Sequence, residues 1–161
     1  MKKIVIFGNS GSGKSTLAIS LCQTHKLQHL DLDVLAWLDA QPPQRRPLDD
    51  SCRQIDQFLT QHDNWVIEGC YADLLSFAIE QASEIIFLNP GVDACITNCR
   101  QRPWEPHKYP SKEAQDANLE MLIAWLREYP TRKDEFSLQA HRELFDNYSG
   151  KKQEYAQVGF E

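Results

Sequence analysis

Short apolar runs and helical stripes alternate along this chain. Lys3-Ile4-Val5-Ile6-Phe7 is a compact, β-branched run that reads as a buried strand. In Thr16-Leu17-Ala18-Ile19-Ser20-Leu21-Cys22 the apolar residues recur at helical spacing. A second strand is predicted over 27–32, ending in Asp31-Leu32-Asp33. Trp65-Val66-Ile67 predicts a third, ending in Glu68-Gly69, and Ile85-Ile86-Phe87-Leu88 a fourth, closed by Asn89-Pro90-Gly91. Between them Leu48, Cys52, Ile55, Leu59 and His62 form an amphipathic stripe behind Pro47, which suits a first helical turn. Helices are also predicted over 71–81, 92–102 and 111–129, the last with Leu119, Leu122, Leu126 and Tyr129 on one face. Phe136-Ser137-Leu138 is expected as a short fifth strand, followed by a helix through His141 to Tyr148 and a polar, loosely held tail from Gly150.

Two proline-rich stretches interrupt the pattern. Three prolines predict a loop over 41–47. The basic segment Arg102-Pro103-Trp104-Glu105-Pro106-His107-Lys108-Tyr109-Pro110 predicts a loop or lid around 100–112. No repeat or linker divides the chain, so a single domain over 1–161 is expected.

Strands separated by helices pair in parallel through right-handed crossovers, which gives a doubly wound α/β sandwich with helices on both faces. Ligands in such sheets gather at the carboxyl ends of the strands. Those tips are unusually rich in chemistry here. The first strand runs into Gly8-Asn9-Ser10-Gly11-Ser12-Gly13-Lys14-Ser15, a G-x-x-x-x-G-K-S octet leading into a helix. Glycines let successive N–H groups turn inward, and the helix start adds unpaired donors and the positive end of its dipole. Gly8, Ser10, Gly11, Ser12, Gly13, Lys14, Ser15 and Thr16 are therefore the candidate nucleotide-phosphate contacts. Lys14 supplies a mobile cation and Ser15 a hydroxyl for Mg²⁺.

The second and third strand tips carry Asp31, Asp33 and Glu68. These carboxylates are candidates to hold a metal-bound water or to accept a proton from an attacking hydroxyl. Arg100, Arg102, His107 and Lys108 lie in and before the lid, where closure brings cations over a migrating phosphoryl group. Trp37 and Arg46 follow the second strand and are candidate acceptor contacts. His25, His29, His62 and His141 show no ligand spacing and are expected at the surface or at helix ends.

Composition narrows this reading. The 161 residues are 42% hydrophobic and 25% charged, as in an ordinary globular domain, with a formal net charge of -6. That balance disfavours polyanions, so nucleic acid is not the expected partner. No apolar stretch approaches the roughly 20 residues that span a bilayer, and the N-terminus leads directly into the first strand, so a cytoplasmic location is expected. The five cysteines (Cys22, Cys52, Cys70, Cys95, Cys99) form no C-x-x-C pair and are expected as small core residues of a reduced protein.

The octet, His29-Leu30-Asp31-Leu32-Asp33 with Trp37, Trp65-Val66-Ile67-Glu68-Gly69-Cys70-Tyr71, and the Arg100/Arg102 pair together resemble the small P-loop kinases of the adenylate kinase and shikimate kinase type. The resemblance extends to their adenylate-kinase-related group labelled topology modulation proteins. It implies a three-layer α/β/α P-loop NTPase fold with a five-stranded parallel sheet of order 2-3-1-4-5, an acceptor region after the second strand, a lid after the fourth and a base-facing loop near 137–141. It also implies ATP and Mg²⁺ as cofactors, with Ser15, Asp31 and Glu68 at the metal. Lys14, Asp33, Arg100 and Arg102 would be catalytic, and Asp33, Trp37 and Arg46 would bind the acceptor. Where shikimate kinases carry three glycines after the third strand, this chain has Gly69-Cys70-Tyr71. The reaction expected is transfer of the γ-phosphoryl of Mg-ATP to a small hydroxyl- or phosphate-bearing acceptor. The alternative is a regulatory nucleotide-binding ATPase without such an acceptor. Acceptor identity and oligomeric state are not encoded in these motifs.

Overall fold

The computed structural model describes residues 1–156. In chain order it runs β1 (Lys3–Gly8), α1 (Lys14–His25), β2 (Gln28–Asp31), α2 (Asp33–Ala36), β3 (Trp37–Leu38), β4 (Gln44–Arg45), α3 (Leu48–Gln61), β5 (Trp65–Gly69), α4 (Ala72–Ile79), β6 (Glu84–Leu88), α5 (Val92–Gln101), α6 (Lys112–Leu126), α7 (Leu138–Asn147) and β7 (Lys151–Tyr155). Five strands form one parallel sheet in the order β2-β5-β1-β6-β7. The order differs in numbering from the expected 2-3-1-4-5, because β3 and β4 form a separate antiparallel pair that the sequence reading did not count.

β1 takes the centre because it is apolar on both faces. Its side chains alternate: Val5 and Phe7 enter the core beneath α3, α4 and α7, whereas Ile4 and Ile6 pack against Leu17 and Ala18 of α1. Phe7 stacks on Phe87 of β6 at 5.1 Å. Truncating a buried phenylalanine of this kind costs about 3–5 kcal/mol. A third cluster seals α5 against α6 through Cys95, Cys99 and Leu126. Burial pushes the Cys95 thiol up to about 11, so it packs there as an un-ionised apolar group.

Four expectations are corrected. The fifth strand is Lys151–Tyr155, not 136–138. Its polar residues suit a sheet edge with one ladder partner, where lysines discourage further pairing. Ser137 instead caps α7, its Oγ accepting from Ala140 N at 2.9 Å. The loop over 41–47 contains β4, which pairs with β3 in a short hairpin. Leu48 stands exposed at the start of α3, and Ser51 takes the buried place there, donating to Leu35 O at 2.9 Å. Of the tail from Gly150, residues 151–155 are the edge strand, and 157–161 lie outside the described residues. Among the described residues no helix is long and apolar enough to cross a membrane.

Candidate active site

The octet forms a tight loop between β1 and α1. Gly11 and Gly13 adopt φ of +79° and +97°, which favour glycine. A Cβ on Gly11 would lie 2.5 Å from Cys95 O and 2.8 Å from Cys99 Sγ, so the loop rests directly on α5. Asn98 clamps the same contact, its Nδ2 donating to Gly11 O at 2.8 Å. The first rung of α1 is Leu17 N to Gly13 O at 3.0 Å. The amides of Lys14, Ser15 and Thr16 therefore precede the helical ladder, and no side chain caps this end. Lys14 Nζ lies across the loop and donates to Asn9 O at 2.7 Å.

Parallel register then aligns the acids. Asp31 is the register partner of Glu68, and His29 sits two residues earlier on the same face of β2. Glu68 is buried, with 2% of its surface exposed. Its Oε2 accepts from Ser15 Oγ at 2.7 Å and lies 3.1 Å from His29 Nε2. The chain turns sharply after β2, with Asp31 Oδ1 accepting from Asp33 N at 2.9 Å. Burial, then the charges of Glu68 and Asp33, push the Asp31 carboxyl up to about 6.

Asp33 is held through both carboxylate oxygens. Tyr71 OH donates to its Oδ1, Trp37 Nε1 donates to Tyr71 OH at 2.8 Å, and Lys108 Nζ lies 2.7 Å from its Oδ2. Burial opposes its charge, but the Lys108 ammonium and the hydrogen bonds from Lys108 and Tyr71 outweigh that and hold its carboxyl below the usual range. Burial likewise works against Lys108, yet Asp33 and Asp31 raise it above an ordinary lysine. The same ammonium is 3.6 Å from Asp31 Oδ2 and from Glu105 Oε2.

Lys108 belongs to the lid between α5 and α6. Gln115 of α6 pins this segment by accepting from Glu105 N at 2.9 Å and donating to Pro103 O at 3.1 Å. Asn118 adds a bond to Tyr109 OH at 2.9 Å. The lid thus lies across the carboxyl ends of the strands, touching the acids of β2 and the turn after it.

Lys14, Ser15, Glu68, Asp31, Asp33 and Trp37 converge at one end of the sheet. Gly8, Ser10, Gly11, Ser12, Gly13 and Thr16 line the loop beside them. Ser12 is fully buried, and its Oγ has no hydrogen-bond partner among the described residues. Arg100 does not join this group: its NH1 bonds to Glu120 of α6 at 3.0 Å on the exposed outer face. Arg102 is turned into the lid, 3.3 Å from Glu105. Arg46 braces the hairpin, donating to Leu35 O at 3.2 Å and Trp37 O at 3.3 Å.

The histidine expectation fails at one position. His29 is exposed, as expected, and its Nε2 lies 3.1 Å from Glu68 Oε2. His141 is fully buried, with Nδ1 2.7 Å from Tyr129 OH and Nε2 2.8 Å from Cys70 O. Ser137 and His141 are buried, and 138–141 form the first turn of α7 rather than a loop. Tyr71 was missed because a lone tyrosine after a strand carries no motif; its place next to the third strand tip was the available signal.

The Ser15 hydroxyl, Glu68 and its register partner Asp31 offer oxygen donors, with His29 Nε2 3.1 Å from Glu68 Oε2. That set suits Mg²⁺, which keeps several waters and relies on phosphate oxygens for the rest of its shell. Among the described residues no group of three or more His, Cys, Asp or Glu side chains is arranged to hold a metal alone, so phosphate oxygens would have to complete it. A cavity of about 580 Å³ lies elsewhere, between α4 and α7, bordered by Asp73, Glu80 and Glu143. None of the octet residues lines it.

No family model matches the chain, and no curated protein does. Among solved structures it is similar to a shikimate kinase from Acinetobacter baumannii in complex with shikimate. The two are 14% identical with a TM-score of 0.50, over 99% of this chain and 86% of that one. It is also similar to the YorR protein of Bacillus subtilis in complex with phosphorylated GDP, at 11% identity and a TM-score of 0.50, covering 94% and 84%. A deoxyadenosine kinase from M. mycoides with bound dATP aligns at 13% identity and a TM-score of 0.48, covering 95% and 90%. The fold is that of the small P-loop kinases.

Proposed function

We propose that the protein is a phosphotransferase that moves the γ-phosphoryl of a Mg-nucleoside triphosphate, ATP in the first instance, to a hydroxyl of a small acceptor. The observation that carries this reading is the juxtaposition of the octet with an ionised, buttressed Asp33 beneath a lid. A loop that only bound nucleotide would need no oriented carboxylate at the neighbouring strand tip, so this arrangement favours a transferase over an acceptor-less regulator. The named ligands of the two fold neighbours, shikimate and phosphorylated GDP, are consistent with it.

In this reading the amides at the start of α1 hold the β- and γ-phosphates, and Lys14 exchanges Asn9 O for them. Ser15, Glu68 and Asp31 would hold Mg²⁺ together with phosphate oxygens and water, and a bound ion would supply charge neutralisation there. Asp33 Oδ2 accepts the proton of the attacking hydroxyl, while Tyr71 fixes the other oxygen. Lys108 and Arg102 close over the site and exclude water. A coupled assay of ADP release across hydroxylated metabolites and nucleoside monophosphates tests the proposal. Acceptor-dependent release supports it, and a wholly inert panel in the presence of bound Mg-ATP refutes it.

A further inference from the structure

Resting on the kinase reading, we infer that the β3-β4 hairpin is a clamp that orients the proton-accepting carboxylate of Asp33, with Trp37 and Arg45 as positioning residues acting through Tyr71. Trp37 and Arg45 are register partners across the hairpin. Each holds a different part of the same side chain. Trp37 Nε1 donates to Tyr71 OH at 2.8 Å, and the Arg45 guanidinium carbon lies over the Tyr71 ring, 4.9 Å from its centroid. Arg45 is itself tied to Glu135 at 2.8 Å and to Asp73 at 3.2 Å. Phe136 makes a T-shaped contact with the Tyr71 ring at 5.3 Å, and Tyr71 is buried.

The donor inventory gives this relay one direction. An indole nitrogen only donates, so the phenolic oxygen accepts from Trp37 and its single proton goes to Asp33 Oδ1. Ring and hydroxyl are then both fixed, and Tyr71 presents only a donor to the carboxylate. With Oδ1 taken, Oδ2 is the oxygen turned toward Lys108 and an incoming hydroxyl. Such preorganisation acts on rate, because a small misplacement of a reacting group slows the chemical step without weakening ground-state binding. The effect of Trp37 therefore falls on kcat, whereas a side chain that gripped the acceptor would act on KM.

The test uses Trp37→Phe, Tyr71→Phe and the double variant, each of which keeps an aromatic ring in place; Trp37 is 37% exposed, so its variant should fold. Turnover is read as ADP release with Mg-ATP and the most active acceptor among shikimate, a hexose, a nucleoside and a nucleoside monophosphate. Tyr71→Phe should lower kcat about 10–100-fold and Trp37→Phe about tenfold, with the acceptor KM within about threefold of wild type. The double variant should be no slower than Tyr71→Phe alone, because the indole then has nothing to act on. Arg45→Lys keeps the charge beside Glu135 and loses the flat stack, so kcat should fall by a smaller factor; an unchanged kcat removes Arg45 from the clamp. A proton–nitrogen NMR spectrum of the full chain adds a readout independent of activity: Tyr71→Phe should move the Trp37 indole N–H resonance upfield as its acceptor is lost. A raised KM at unchanged kcat in Trp37→Phe, additive losses in the double variant, or an unmoved indole resonance overturns the clamp and leaves the kinase reading intact. A wild type that binds Mg-ATP and turns over none of these acceptors overturns the kinase reading and the clamp with it.

Discussion

Ser15 Oγ donates to Glu68 Oε2 at 2.7 Å, so the hydroxyl that ends the phosphate loop is tied to the carboxylate at the tip of β5. This bond couples the glycine-rich loop to the acid side of the cleft. Substituting Glu68→Gln keeps an oxygen that can accept from Ser15 and removes the charge. The fold should survive, while the enhancement of nucleotide affinity by Mg²⁺ falls roughly tenfold or more, in line with loss of one charged oxygen from a hard-cation site. Titration calorimetry with and without Mg²⁺ measures the ratio; an unchanged enhancement would remove Glu68 from the metal site.

Lys14→Ala should leave the melting temperature nearly unchanged, because among the described residues the ammonium bonds only to Asn9 O. Triphosphate affinity should drop by about 2–3 kcal/mol, roughly a hundredfold, as expected for losing a charge-assisted contact. Equal affinity in calorimetry would exclude Lys14 from the phosphate site.

Asp33→Asn should separate chemistry from binding. Acceptor-dependent turnover falls about 10²–10⁴-fold, the usual span for a lost general base. Mg-nucleotide affinity should stay within about threefold. A parallel fall in both quantities would place Asp33 with the metal instead.

Gly11→Ala tests the seat of the loop on α5. The substitution places a Cβ 2.5 Å from Cys95 O at a φ of +79°. Strain and overpacking together should cost about 2–4 kcal/mol of stability, read from denaturant midpoints. A neutral outcome would mean that the loop and α5 move apart freely.

The buried His141 makes stability pH-dependent in a direction that can be worked out. The Cys70 carbonyl only accepts, so Nε2 carries the proton and Nδ1 accepts from Tyr129 OH. Burial lowers its pKa from 6.5 to about 4. Below 6.5 the unfolded chain takes up a proton that the native chain refuses until about 4. Stability contributed by this residue is therefore full above 6.5 and is lost as pH falls through that window, by up to about 3 kcal/mol. Urea unfolding of His141→Gln should show a shallower decline between pH 6.5 and 4 than wild type. Parallel slopes would contradict the buried neutral imidazole.

What the sequence made legible follows from how local each signal is. The β1 run, the octet and the first turn of α1 are contiguous, and period-2 burial on both faces of β1 matches its unbroken apolar run. Asp31 and Glu68 were placed together by the rule that parallel strands end on one side, which needs topology but no side-chain detail. Three features escaped, two of them because they depend on distant partners. β7 is polar and becomes a strand only by pairing with β6. Ser137 caps a helix although its apolar neighbours suggested β structure. Arg100 carries the right charge in the right segment, yet its helix face turns it toward Glu120 and away from the cleft. The lid contact of Lys108 with Asp33 joins segments far apart in the chain, and no spacing rule encodes it.

The central position of β1 has a consequence for how the molecule is made. The octet is complete within the first 15 residues, but Gly8 is wedged against Leu88 O and Gly11 against Cys95 O. Its shape is held by parts of the polypeptide synthesised much later. A nascent fragment ending before β6 would carry every residue of the motif and still lack the walls that curl it. Nucleotide capture should therefore switch on late during elongation, once long-range pairing has closed around the earliest strand.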